Sequence, residues 1–196
     1  MIIKNVLVLI GPPGSGKGTQ GKMLAAKLNY NYLSMGQAIR EYTKTKTERA
    51  QEIKKIIDGG HFIPNEWIRE LFFEKIKALP KAAGLILDGF PRDFHQSPIL
   101  DEMIEKYHVD GVRAIFIDVP KIKIIERLKI RETTEARADD DPNVIETRFH
   151  EYDEKTFPLV SYFEHKHKLI SINGDQSVEK VQEEILRKLS YAQPGI

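Results

Sequence analysis

The chain has 196 residues, 41% of them hydrophobic and 30% charged, with a formal net charge of +1 and no cysteine. That supports one packed α/β domain with room for a small insertion, and it excludes disulfides, thiolate metal sites and cysteine nucleophiles. The balanced charge excludes a global field steering the protein to nucleic acid or an acidic membrane, and without a secretory leader or a membrane-length apolar run a cytoplasmic protein is expected.

The first strand is predicted at Val6–Ile10, a short apolar run. It feeds Gly11-Pro12-Pro13-Gly14-Ser15-Gly16-Lys17-Gly18-Thr19-Gln20. Glycines let successive backbone N–H groups converge on phosphate oxygens, and the helix start behind them adds positive potential. Gly11, Gly16 and Lys17 fit the P-loop pattern, except that Gly18 stands where Ser or Thr is expected and the hydroxyl comes one residue late, at Thr19. A helix is predicted over Lys17–Leu28 and a second strand over about Tyr30–Leu33.

Helical patterns follow at Gly36–Thr45, Glu48–Asp58 and Asn65–Ala78, more than one crossover needs. Asp58-Gly59-Gly60 and Ile63-Pro64 punctuate the stretch, so residues 34–66 read as a small inserted lobe. The third strand, Leu85–Asp88, runs into Gly89-Phe90-Pro91-Arg92. An Asp closing an apolar strand is placed to hold a hydrated Mg²⁺ beside loop-bound phosphates. Beyond it come a helix over His95–Tyr107, a strand over Ala114–Val119, a helix over Ile122–Arg131 and a polar stretch without apolar periodicity at 131–142. Helices over Val144–Phe157 and Pro158–His165, a strand over Leu169–Ile172 and a helix over Val178–Tyr191 complete the chain. Alternating strands and helices predict a five-stranded parallel sheet covered on both faces, a three-layer α/β/α domain over residues 1–196, with ligands beyond the carboxyl ends of the strands.

Some chemistry-bearing residues read as packing or surface. His165 and His167 lack metal-ligand spacing, Ser15 has no base placed beside it, and Trp67 with Phe72-Phe73 follows the apolar rhythm of a core helix.

Together the segments resemble the adenylate kinase family of nucleoside monophosphate kinases. Its phosphate loop, Gly-x-Pro-Gly-x-Gly-Lys-Gly-Thr, is matched at residues 11–19, and its second signature, Asp-Gly-Phe-Pro-Arg, stands unbroken at 88–92. The resemblance implies that Gly11, Pro13, Gly14, Ser15, Gly16, Lys17, Gly18 and Thr19 wrap the phosphates of ATP. Arg127 would stack on the donor adenine, with Gln176 in the donor-base loop, and Asp88 would hold Mg²⁺ through water. AMP would lie against Ser34, Met35, Arg40, Ile63, Gly89, Arg92, Gln96, Arg137 and Arg148. The catalytic set implied is Lys17, Arg92, Arg127, Arg131, Arg137 and Arg148, with Asp139 and Asp140 orienting the arginines. Residues 34–66 would be the monophosphate-binding lobe and 131–142 a short lid, which has neither room nor cysteine for zinc.

Gln96 falls where the family reads the acceptor base, and a carboxamide can pair with the donor–acceptor edge of adenine. AMP is therefore the expected acceptor. Three positions depart from the family pattern: Met35 for threonine, Gln37 for an acidic residue, and Asn65 where aspartate is usual. The expected reaction is MgATP + AMP ⇌ MgADP + ADP, carried out by a monomer on small nucleotides. Alternatives at this point are a UMP/CMP kinase of the same family and a P-loop ATPase or nucleotide-dependent switch.

Overall fold

The computed structural model describes residues 3–135 and 141–191, and only the backbone at 131–135, 142, 143 and 191. Strands β1 (Asn5–Ile10), β2 (Asn31–Ser34), β3 (Gly84–Asp88), β4 (Gly111–Asp118) and β5 (Leu169–Asn173) form a parallel sheet in the order β2-β3-β1-β4-β5. Alternate residues of β1 serve opposite faces of the sheet. Val6, Val8 and Ile10 join one apolar cluster, with Leu85 and Leu87 of β3; Leu7 and Leu9 join the other, with Ile115 and Ile117 of β4. Burial on both sides explains why these strands read as continuous apolar runs rather than as alternation.

Helices α2 (Met35–Tyr42), α3 (Glu48–Asp58), α4 (Asn65–Ala78), α5 (Ser97–Tyr107) and α8 (Pro158–His165) supply side chains to the first cluster. Helices α1 (Lys17–Leu28), α6 (Lys121–Glu135), α7 (Pro142–Glu151) and α9 (Val178–Tyr191) pack on the second. Ser34 caps α2 by accepting from Gln37 N, and Thr47 caps α3 by accepting from Ala50 N. Among the described residues, no helix is long and apolar enough to cross a membrane.

Several boundaries differ from expectation, the following with a structural consequence. β4 begins at Gly111 rather than Ala114, because Gly111, Val112 and Arg113 pair with Asn5, Val6 and Leu7. A single 3₁₀ turn, Phe94–Gln96, precedes α5, with Asp93 accepting from His95 N. The helix expected to close at Arg131 runs on to Glu135, and α7 starts at Pro142. The pattern read as one helix over Val144–Phe157 ends α-helical geometry at Glu151 and widens into a π turn, Tyr152–Thr156. Turns of that kind occur mostly as single interruptions and are frequent at functional sites.

Candidate active site

The carboxyl ends of β1, β2 and β3, with the segment that follows β5, border one cleft of about 1150 Å³. From β1 the chain turns through residues 11–16 into α1. Gly16, at the helix start, has φ of +93°, a conformation that costs a side-chain-bearing residue and costs glycine nothing. The Lys17 ammonium folds back over this turn. It donates to Gly11 O (2.6 Å), Pro12 O (2.8 Å) and Ser15 Oγ (3.3 Å), so the cation is fixed above the loop it follows. Arg127 reaches in from α6, donating from Nη2 to Gly174 O (2.9 Å) and from Nη1 to Ser15 O (3.5 Å). It thereby ties the glycine turn to the segment after β5. There the Gln176 carboxamide donates to Asn173 O (2.8 Å) and Glu184 Oε2 (2.9 Å). Hydrogen bonds from Lys188 and then Gln176 hold the Glu184 carboxyl below its usual range against desolvation.

β3 delivers the second half of the site. Asp88 closes the strand and accepts at Oδ2 from the Tyr32 hydroxyl (2.6 Å). A Cβ placed on Gly18 would stand 3.5 Å from the same oxygen, so the carboxylate faces the phosphate loop directly. One carboxylate, with phosphate oxygens and waters, is a donor set that Mg²⁺ takes readily. Among the described residues, no cluster of three or more His, Cys, Asp or Glu side chains forms a cage of protein ligands. The residues present therefore fit a Mg²⁺ that arrives with its nucleotide.

Gly89 follows at φ +70°, and a Cβ there would stand 2.9 Å from Arg92 Nη2 and 3.0 Å from Arg92 Nε. The glycine is needed twice, for the backbone conformation and for the guanidinium lying against it. Phe90 is buried and stacks on Phe72 with ring centroids 4.1 Å apart, which anchors the turn to α4, and the Phe90–Pro91 peptide is cis. A Cβ on Gly36 would meet Arg92 Nη2 at 3.1 Å and Arg40 Nη1 at 3.4 Å. Two guanidinium groups from α2 and from the β3 turn thus flank one point. Such planar forks suit bidentate capture of phosphate.

The third wall comes from α7 and the π turn. Arg148, Tyr152 and Thr156 all line the cleft, at successive four-residue steps. The Thr156 hydroxyl donates to Arg92 O, tying this wall to the β3 turn. Among the described residues the buried Tyr152 hydroxyl has no hydrogen-bond partner, and burial pushes its phenol well above the ordinary tyrosine range. The segment between α3 and α4 touches this wall and the β3 turn: Glu151 accepts from His61 Nδ1 (3.1 Å), as it does from Lys155 Nζ (2.6 Å), and Arg92 lies 5.7 Å from the Phe62 ring. Burial of Glu151 works against its charge, but the hydrogen bonds from Lys155 and His61 outweigh it and hold the carboxyl below the ordinary glutamate range.

The cleft is lined by Gly11, Pro13, Gly14, Ser15, Gly16, Lys17, Gly18, Thr19, Ser34, Arg40, Asp88, Gly89, Arg92, Arg127, Arg148 and Gln176 among the residues singled out from sequence. Three others lie behind its wall. Met35 is fully buried, Gln96 is 2% exposed, and Ile63 instead borders a smaller pocket of about 480 Å³ shared with Phe62 and Asn65. The side chain of Arg131, together with Arg137, Asp139 and Asp140, lies outside the described residues. Sequence reasoning missed Tyr32, His61, Glu151, Tyr152 and Thr156. Only Tyr152 carried a signal, standing one helical turn after Arg148.

A strand, a glycine turn closed by a lysine and a helix, set at the carboxyl edge of a parallel sheet and faced by arginines, define a P-loop nucleotide-binding fold of the phosphoryl-transfer class. Residues 9–168 match the family model described as Adenylate kinase. The chain is 35% identical over 179 residues to adenylate kinase 1 of Nostoc sp., covering 91% of this chain and 95% of the relative. It is 34% identical over 183 residues to the adenylate kinase of Leptospira biflexa (93% and 98% covered) and 33% over 180 residues to that of Flavobacterium johnsoniae (91% and 95%). The chain belongs to the adenylate kinase family.

Proposed function

We propose that the protein transfers the terminal phosphoryl group of MgATP reversibly to AMP, giving two molecules of ADP. The observation that carries this reading is the single cleft in which the Lys17 loop faces Arg40, Arg127 and Arg148 from three separate helices and Arg92 from the β3 turn. A plain ATPase has no second nucleotide to embrace, and the relatives named above favour AMP over a pyrimidine monophosphate as acceptor.

The loop over residues 11–19 would cradle the donor phosphates, with Lys17 leaving its own loop carbonyls to meet phosphate oxygens. Arg127 would hold the donor nucleotide at the edge it already shares with Gly174. Arg40 and Arg92 would clamp the monophosphate at the point they flank, and Arg148, with Arg131 and Arg137, would contact the group in flight. Asp88 would hold Mg²⁺ through water, and the bound ion would supply positive charge against the donor phosphates. The attacking phosphate oxygen is already anionic, so no general base is needed. The work is to align two polyanions and exclude water, and cations already in place once both nucleotides are bound need no reorganisation at the moment of transfer.

The lobe over residues 34–66 would close on the acceptor through the contact its His61 makes with Glu151, and residues 131–142 would close on the donor. The reading includes a cytoplasmic monomer acting on small nucleotides rather than nucleic acid or membrane, supported by the near-zero net charge. A coupled assay over AMP, dAMP, UMP, CMP and GMP tests it. AMP is expected to give the highest kcat/KM, and a better pyrimidine acceptor would overturn the choice of AMP.

A further inference from the structure

Gln96 is held at both ends. Its Oε1 accepts from Arg92 N (2.8 Å) and its Nε2 donates to Asn65 Oδ1 (3.0 Å), with the side chain buried. A carboxamide offers two acceptor sites and two donors, so these two bonds leave one lone pair and one N–H to meet a ligand. The two ends of the relay differ in kind. Arg92 N is a backbone donor and cannot become an acceptor. Asn65 is itself a carboxamide and can exchange its oxygen for its nitrogen by rotation. If Gln96 turned over, the bond to Arg92 would be lost, whereas Asn65 could turn over with it and restore the second bond. Aspartate, the family's usual residue at this position, could only accept and would oppose the reversal.

We propose that Asn65 is a positioning residue for the acceptor base: it holds the Gln96 carboxamide in place, and being an amide rather than a carboxylate it tunes how strictly Gln96 presents one hydrogen-bonding edge. The substrate class affected is purine monophosphates of opposite edge. Adenine offers a donor at its six position beside an acceptor at N1; a 6-oxopurine offers an acceptor beside a donor. The inference rests on the reading of Gln96 as the group that meets the acceptor base.

The test is the ratio of kcat/KM for AMP to kcat/KM for IMP. The two acceptors share ribose and phosphate, so effects at the phosphate cancel. Asn65→Asp should raise the ratio, because reversal then leaves two bonds unmade instead of one. Asn65→Leu should lower kcat/KM for AMP about three- to tenfold, the worth of one hydrogen bond, and leave the ratio near the parent's, because reversal still costs only the bond to Arg92. Melting temperatures report folding, and Asn65→Ala is read in the same way should the leucine variant not fold. An Asn65→Asp ratio at or below that of the parent, or a leucine variant with the parent's kcat/KM for AMP, overturns the inference. Gln96→Leu separates this from the reading beneath it. If that variant keeps the AMP:IMP ratio, Gln96 does not meet the base and both fall; if it loses the ratio while Asn65→Asp does not raise it, only the role of Asn65 falls.

Discussion

Replacing Gly36 by alanine should separate stability from activity. Gly36 sits in the first turn of α2 with ordinary helical geometry, so no backbone strain accompanies the change. Alanine is better than glycine in a helix by about 0.5–1 kcal/mol, which for a domain of this size raises Tm by about 1–4 °C. The added methyl would stand 3.1 Å from Arg92 Nη2 and 3.4 Å from Arg40 Nη1. Both atoms are the ends of flexible side chains, so they can yield cheaply in the absence of substrate. Yielding moves the forks off the point where the monophosphate is to be clamped. A hydrogen bond to a charged group is worth about 1.5–3 kcal/mol, so losing one such bond lowers kcat/KM for AMP about ten- to hundredfold. Steady-state kinetics in AMP and in ATP, with thermal denaturation of the same preparations, read both effects. A Gly36→Ala enzyme with full kcat/KM for AMP would refute the convergence of Arg40 and Arg92 on the acceptor phosphate.

Other outcomes follow from the same geometry. Arg92→Ala should keep the fold and lose about 10²–10³ in kcat/KM, as removal of a strong transition-state donor does; near-normal turnover would remove Arg92 from the chemistry. Asp88→Asn should raise the Mg²⁺ concentration needed for half-maximal rate while leaving Tm close to the parent, and an unchanged Mg²⁺ titration would dismiss Asp88 as its holder. Glu151 has a folded-state pKa below its unfolded one, so its contribution to stability is full above the unfolded value of about 4.3 and fades as pH falls through the lower folded value. The Tm advantage of the parent over Glu151→Gln should therefore be constant above about pH 5.5 and shrink by about pH 3.5; an advantage that grows on acidification would contradict the assigned shift.

The sheet was legible because its strands are buried on both faces and interrupted by glycine and proline, leaving short apolar runs such as Val6–Ile10 that match no helical period. Lys17, Asp88 and Arg92 were legible because each stands within a few residues of glycines whose placement has a backbone reason. The start of β4 was not, since Gly111 joins the strand only through its partner Asn5, a tertiary event. Nor was the π turn, because Tyr152–Thr156 continues a helical pattern in its side chains and departs from it only in its hydrogen bonding. Gln96 stood out in sequence by its place after the Asp88–Arg92 signature, but its burial between Arg92 and Asn65 depends on a contact spanning two elements. The same holds for Tyr32 on Asp88 and for Glu151 under His61: each is an ordinary residue in sequence and acquires meaning only from a distant partner.

The most direct measurement follows the phosphorus. With ATP labelled in its terminal phosphoryl group, Mg²⁺ and AMP, the label should appear in ADP as its terminal phosphoryl, with almost none released as inorganic phosphate. Label accumulating as inorganic phosphate at the rate of ATP consumption, with or without AMP, would contradict the account at its centre.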